Sequence, residues 1–167
     1  METIAVYWES KVKVYSIIQV TELTLVRLIF PLMLTEKLGE ALVPLEHTVR
    51  RFELVTQDYI DSSHSQFNLF FQQSMLKTAE GIFDKWENLM QVKPALISPV
   101  ELIYLHGPHF QDRFGIVETV FSALKGGGIE VIASGCAGTT IYVATPHRQA
   151  KPASQILRET FIIPSTN

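Results

Sequence analysis

Hydrophobic positions along the second half of the chain change their period several times, and each change marks an element. Val100-Glu101-Leu102-Ile103-Tyr104-Leu105-His106 is half apolar and rich in strand formers, which predicts a strand. Gly107 to Gly115 follows with turn formers at both ends and reads as a loop. Ile116, Val117, Val120, Phe121 and Leu124 then form the stripe of a helix with one buried face. Gly126-Gly127-Gly128 stops it, because glycine takes the left-handed cap conformation without a Cβ clash. Ile129 to Ala133 predicts a short strand, Gly135-Cys136-Ala137-Gly138 a turn, and Thr139 to Thr145 a β-branched strand ended by Pro146. Pro152 suits the first turn of a helix over about Ala153 to Thr160. Phe161-Ile162-Ile163 closes the series as a last strand.

The first half repeats this order without repeating the letters. Val12 to Val20 reads as a strand, extended by a preceding piece at Ile4 to Trp8. Thr21 to Leu42 reads as largely helical, capped by Thr21 or Thr24 and kinked or split at Pro31. Val49 to Ile60 predicts a strand, Asp61 to His64 a turn, and Gln66 to Gln72 a strand with Phe67, Leu69 and Phe71 at period two. Ser74 caps a helix whose Ala79, Ile82, Phe83, Trp86, Leu89 and Met90 share one face. Ala95-Leu96-Ile97 closes the copy between Pro94 and Pro99.

Two copies of βαββαβ of ~80 residues each have the size of a split βαβ unit. The expected fold is α+β: tandem ferredoxin-like domains over 1–98 and 99–167. Each is an antiparallel sheet with both helices on one face.

Composition narrows the function. The chain has 167 residues, 47% hydrophobic and 19% charged, with a net charge of −3, so it is globular and offers no basic surface for nucleic acid. Cys136 is the single cysteine, which excludes an internal disulfide framework and a multi-cysteine zinc site. Glu2 and the absence of basic residues around it argue against a signal peptide. The apolar run from Leu23 to Leu34 is well short of the ~20 residues of a membrane span. A cytoplasmic location is expected.

Residues from Leu105 to Val143 resemble an ACT domain, and most closely the regulatory ACT modules of aspartate kinases. The resemblance is carried by Asp112-Arg113-Phe114-Gly115-Ile116, by Val120 to Leu124, by Gly128-Ile129-Glu130-Val131, and by the small-residue stretch Ser134 to Ile141. Phe114 stands where that family usually has proline. The resemblance implies a non-catalytic regulatory module that binds a small ligand, such as an amino acid, where two such domains meet. By position the ligand-binding residues would be Gly107, His109, Phe110, Gln111, Asp112, Arg113, Phe114, Gly115 and Ile116.

The residues themselves support part of this. A loop feeding a helix N-terminus offers unpaired N–H groups and partial positive charge to a carboxylate. Asp112 could pair an ammonium group, or simply cap the helix. His106, His109 and Asp112 offer three metal-ligating groups, but nothing in the spacing forces them together, so no metal and no cofactor is expected. Cys136 reads as a small residue filling tight space rather than a nucleophile. The triple glycine follows a helix and lacks a Lys-Ser/Thr ending, which excludes a phosphate loop. Tyr7, Trp8 and Tyr15 fit a core or an interface.

The leading expectation is therefore a cytosolic, non-enzymatic small-ligand sensor that forms a homodimer. Its competitors are a purely structural assembly module, and a small enzyme with His109 and Asp112 as base and orienter.

Overall fold

The structure, a computed structural model, describes residues 11–108, 110 and 114–163. Among the described residues, six strands and four α-helices follow in chain order. They are β1 (Ser16–Pro31), α1 (Thr35–Val49), β2 (Leu54–Tyr59), β3 (His64–Gln72) and α2 (Leu76–Met90). Then come β4 (Ala95–His106), α3 (Ile116–Gly126), β5 (Ala133–Ala137), β6 (Thr140–Pro146) and α4 (Ala150–Thr160). The strand order is β2-β3-β1-β4-β6-β5.

The chain forms two compact units, one of residues 21–100 and the other of residues up to Val20 and from Glu101 onward. The boundary expected at 98/99 is therefore replaced by two, at 20/21 and 100/101. Residues before Val20 complete the second unit rather than opening the first.

The 21–100 unit is built from the outer part of β1, α1, β2, β3, α2 and the start of β4. This is the βαββαβ order, with strands side by side as β2-β3-β1-β4. β3 pairs antiparallel with both β1 and β2, placing Val26 opposite Leu69 and Leu28 opposite Phe67. Val26, Leu28, Phe30, Leu69 and Phe71 form the sheet side of a core whose helical side includes Leu38, Leu45, Phe83 and Trp86. Trp86 is buried, its indole N–H donates to the Ala41 carbonyl at 2.9 Å, and its ring meets Phe83 edge-on at 5.4 Å.

The other unit sets α3 and α4 on strands β1, β4, β6 and β5, with β5 and β6 a tight antiparallel pair. Ile103, Leu105, Ile141 and Val143 meet Val120, Leu124 and Leu157 in its core. The start of β1 takes the place expected for a last strand at Phe161 to Ile163. Those residues make one isolated parallel bridge, Ile162 against Lys13, held by Val14 N–H to the Ile162 carbonyl at 2.9 Å.

Several local expectations are corrected. Residues 21–31, read as helical, continue β1 as a strand. Leu23 to Val26 are buried without a break, so the run lacks the alternation that marks a strand exposed on one side. Helix α1 starts at Thr35 and carries Pro44, while Pro31 ends β1. The strand expected from Val49 begins at Leu54, because α1 runs to Val49 and Arg50 ends it in a left-handed conformation (φ 62). The strands expected at 95–97 and 100–106 are one strand, β4, with a cis Ser98–Pro99 bond inside it. The strand expected at 129–133 lies instead at 133–137, so Gly135 to Ala137 of the expected turn are strand, while Gly138 stays in the turn. The piece expected at Ile4 to Trp8 lies outside the described residues.

The turn between β2 and β3 is locked by Asp61. Its Oδ1 accepts the Ser63 N–H at 2.7 Å, the Ser63 hydroxyl at 2.8 Å and the His64 N–H at 2.8 Å. These bonds, the Ser63 N–H first, lower its carboxyl pKa from 3.8 to about 2. The stabilisation from a depressed carboxyl pKa is complete above the unfolded value, and is lost as pH falls toward about 2. An NMR titration should give Asp61 a midpoint near 2, and Ser63→Ala should move it part of the way back toward 3.8. A wild-type midpoint at the ordinary carboxylate value would contradict the turn geometry.

Candidate functional site

The predicted site is the connection from β4 to α3, and its two ends are well fixed. At the strand end, the Gly107 N–H donates to the Thr139 carbonyl at 2.9 Å, joining the loop to the turn between β5 and β6. Gly107 is also packed against Phe110: a Cβ there would lie 2.5 Å from a ring carbon. Phe110 is buried in the core beside Ile116, so the loop is pinned from within by an aromatic side chain. Two predicted ligand residues, Phe110 and Ile116, thus act as anchors in the core.

At the helix end, Gly115 takes the left-handed conformation (φ 84) as the N-cap of α3. Glycine has no side chain with which to cap the helix. Its carbonyl accepts both the Thr119 N–H at 2.9 Å and the Thr119 hydroxyl at 2.8 Å. Phe114, just before it, is fully exposed. The helix thus begins with N–H groups directed toward the loop, where its dipole favours negative charge. His109, Gln111, Asp112 and Arg113 lie outside the described residues.

The foot of the loop holds groups that sequence reasoning did not assemble. His106 Nδ1 lies 2.8 Å from Thr140 Oγ1 and 3.4 Å from Thr139 Oγ1. The Tyr15 ring sits 5.9 Å from the His106 ring, and the Tyr15 N–H donates to the His106 carbonyl. Tyr15 and His106 are both exposed. Among the described residues no group of three or more His, Cys, Asp and Glu could hold a metal ion.

Cys136 does not fill tight space as expected; it is exposed on β5. The tight position is its neighbour Gly135, where a Cβ would lie 2.2 Å from the Tyr142 hydroxyl oxygen. Glu101 is a second group that the sequence did not mark. It is buried on β4, and its Oε2 accepts the Ala150 N–H at 2.7 Å at the start of α4. His147 Nδ1 lies 3.7 Å from its other oxygen. No helix among the described residues is long and apolar enough to cross a membrane.

The βαββαβ unit with its antiparallel sheet and helical layer has the fold seen in ACT-type structures. Among solved structures, the chain is similar to the regulatory subunit of aspartate kinase from Thermus thermophilus in its ligand-free form. There the TM-score is 0.73 at 15% identity, covering 89% of this chain and 98% of that one. It is also similar to part of the aspartate kinase from Synechocystis, with TM-score 0.80 at 16% identity, covering 95% of this chain and 29% of that one. A third likeness is to E. coli aspartokinase III in complex with lysine and aspartate, with TM-score 0.57 at 18% identity, covering 93% of this chain and 35% of that one. No protein-family model matches the chain, and no curated protein does. At these identities the likenesses show a shared fold.

Proposed function

We propose that this protein is a small-ligand sensor made of two ACT-like domains, that its ligand is an amino acid, and that it works as a cytoplasmic homodimer. The observation that carries the reading is the N-terminus of α3, which begins at Gly115 with no capping side chain, while Phe110 packs against Gly107 at the end of β4. The amides of that helix end suit a ligand carboxylate. By the resemblance, His109, Gln111, Asp112, Arg113 and Phe114 would be ligand-binding residues, Asp112 for the ammonium group. A solved structure of this fold, E. coli aspartokinase III, was determined with lysine and aspartate bound, which favours an amino acid as the ligand class. Ligand binding would shift the population of two arrangements by its differential affinity for them, and the output would pass to a partner protein.

Isothermal titration against each proteinogenic amino acid tests this. At least one should give saturable heat, and Gly115→Val should weaken that binding by about tenfold or more, because valine strongly disfavours φ 84. Circular dichroism should confirm that the variant is folded. Silence across the whole panel would reject the sensing reading and leave the structural assembly module in its place.

A further inference from the structure

Helix α3 buries a narrower stripe than its sequence predicts. Ile116, Val120 and Leu124 are buried, but Val117 is 41% exposed, and Phe121, one turn on along the same flank, is only half-buried. Phe114, immediately before the Gly115 cap, is fully exposed. Three apolar side chains are therefore left open or half open around the first two turns of the helix. Its positive end lies beside them. The N–H groups of residues 116–118 precede the first helical bond, which runs from the Thr119 N–H to the Gly115 carbonyl at 2.9 Å. Glu118, the acid of the first turn, is drawn along the helix and away from that end. Its Oε1 accepts the Ser122 hydroxyl at 2.7 Å, one turn toward the C-terminus.

We propose that the amino acid this protein senses has a large apolar side chain, branched or aromatic, which packs on Phe114, Val117 and Phe121 while its carboxylate meets the first-turn amides of α3. The proposal rests on the sensing reading above and adds to it the class of ligand. Charge complementarity and size carry it. The helix end holds partial positive charge and suits an anion. The flank beside it is hydrocarbon, so one ligand that satisfies both is an anion with an apolar body. An aspartate or threonine side chain would lose water against these rings and methyl groups without a hydrogen bond in return. Three side chains are too few for a protein partner, since a stable interface takes about 20–30 residues a side. They are enough to cover one leucine or phenylalanine side chain, whose removal from water then supplies the binding energy.

Isothermal titration of the full chain reads the ranking. The tightest binder should be among leucine, isoleucine, methionine and phenylalanine, at least about tenfold tighter than alanine, lysine, threonine or aspartate. Phe114→Ala and Val117→Ser should each weaken that binder by roughly fivefold or more. Both side chains are exposed, so circular dichroism should be unchanged in the two variants. The amine that lacks the binder's carboxylate should give no saturable heat. Tightest binding by a polar or charged amino acid, apolar binding that either variant leaves unchanged, or saturable binding of that amine overturns the ligand class and leaves the sensing reading standing. Silence across the panel overturns both. Variants that change only the assembly state in light scattering would make this flank a contact between copies, and the ligand class falls.

Discussion

Trp86→Ala should destabilise the 21–100 unit by about 3–5 kcal/mol, the usual cost of truncating a buried tryptophan. The side chain is 2% exposed and bridges both helices. It lies on α2, donates to the Ala41 carbonyl of α1, and stacks its edge on Phe83. Truncation removes the packing and the hydrogen bond. Trp86→Phe separates these contributions. It keeps most of the apolar volume and loses the indole donor, so its cost should be about 1–2 kcal/mol. Chemical denaturation followed by far-UV circular dichroism, with native-state hydrogen exchange of α1 and α2 amides, measures both. An alanine variant within about 1 kcal/mol of wild type would mean that this core relaxes around the lost ring, contrary to the packing described.

Glu101→Ala should cost the other unit about 1–3 kcal/mol. The carboxylate is a strand residue performing a helix cap: it accepts the Ala150 N–H at the buried start of α4. Removing it leaves that donor without an acceptor in a site that water does not reach, and the penalty is for the orphaned group. It also removes negative charge from the positive end of a helix dipole. Glu101→Gln keeps an acceptor oxygen and should recover more than half of the loss. Hydrogen exchange at Ala150 and along α4 gives the unit-specific reading, which whole-chain unfolding need not resolve in a molecule of two units. Equal destabilisation by the alanine and glutamine variants would show that charge, and not the hydrogen bond, carries the effect.

These two residues also mark what could and could not be read from the sequence. Trp86 announces itself, because α2 repeats apolar residues at helical spacing and its buried face is Ala79, Phe83, Trp86 and Met90. The same holds for β3, α3 and β6, where a single period persists long enough to name the element. Glu101 lies within an apolar strand, and its partner is 49 residues away, so no local pattern reveals it. β1 was misread because consecutive buried residues from Leu23 to Val26 erase the period of two, and Pro31 sits at the strand's end rather than inside a helix. β5 was displaced because Ala-Ser-Gly-Cys-Ala has no strand propensity of its own. It is a strand because β6 pairs with it, and Gly135 is needed where the Tyr142 hydroxyl comes close. At the site, Gly107 and Gly115 were legible as loop ends. Tyr15, Thr139 and Thr140 were not, because they reach His106 from elements far away in the chain.

The two-part unit sets an order on biosynthesis. Residues 21–100 form a contiguous stretch, so that half of the protein can close as soon as it leaves the ribosome. The leading segment, which contributes Ile17 and Val14 to the other core, must wait unpaired until Ile103, Val120 and Leu157 have been translated. During that interval its apolar side chains have no native seat, and the nascent chain is then most exposed to chaperone capture and to mispairing with its neighbours.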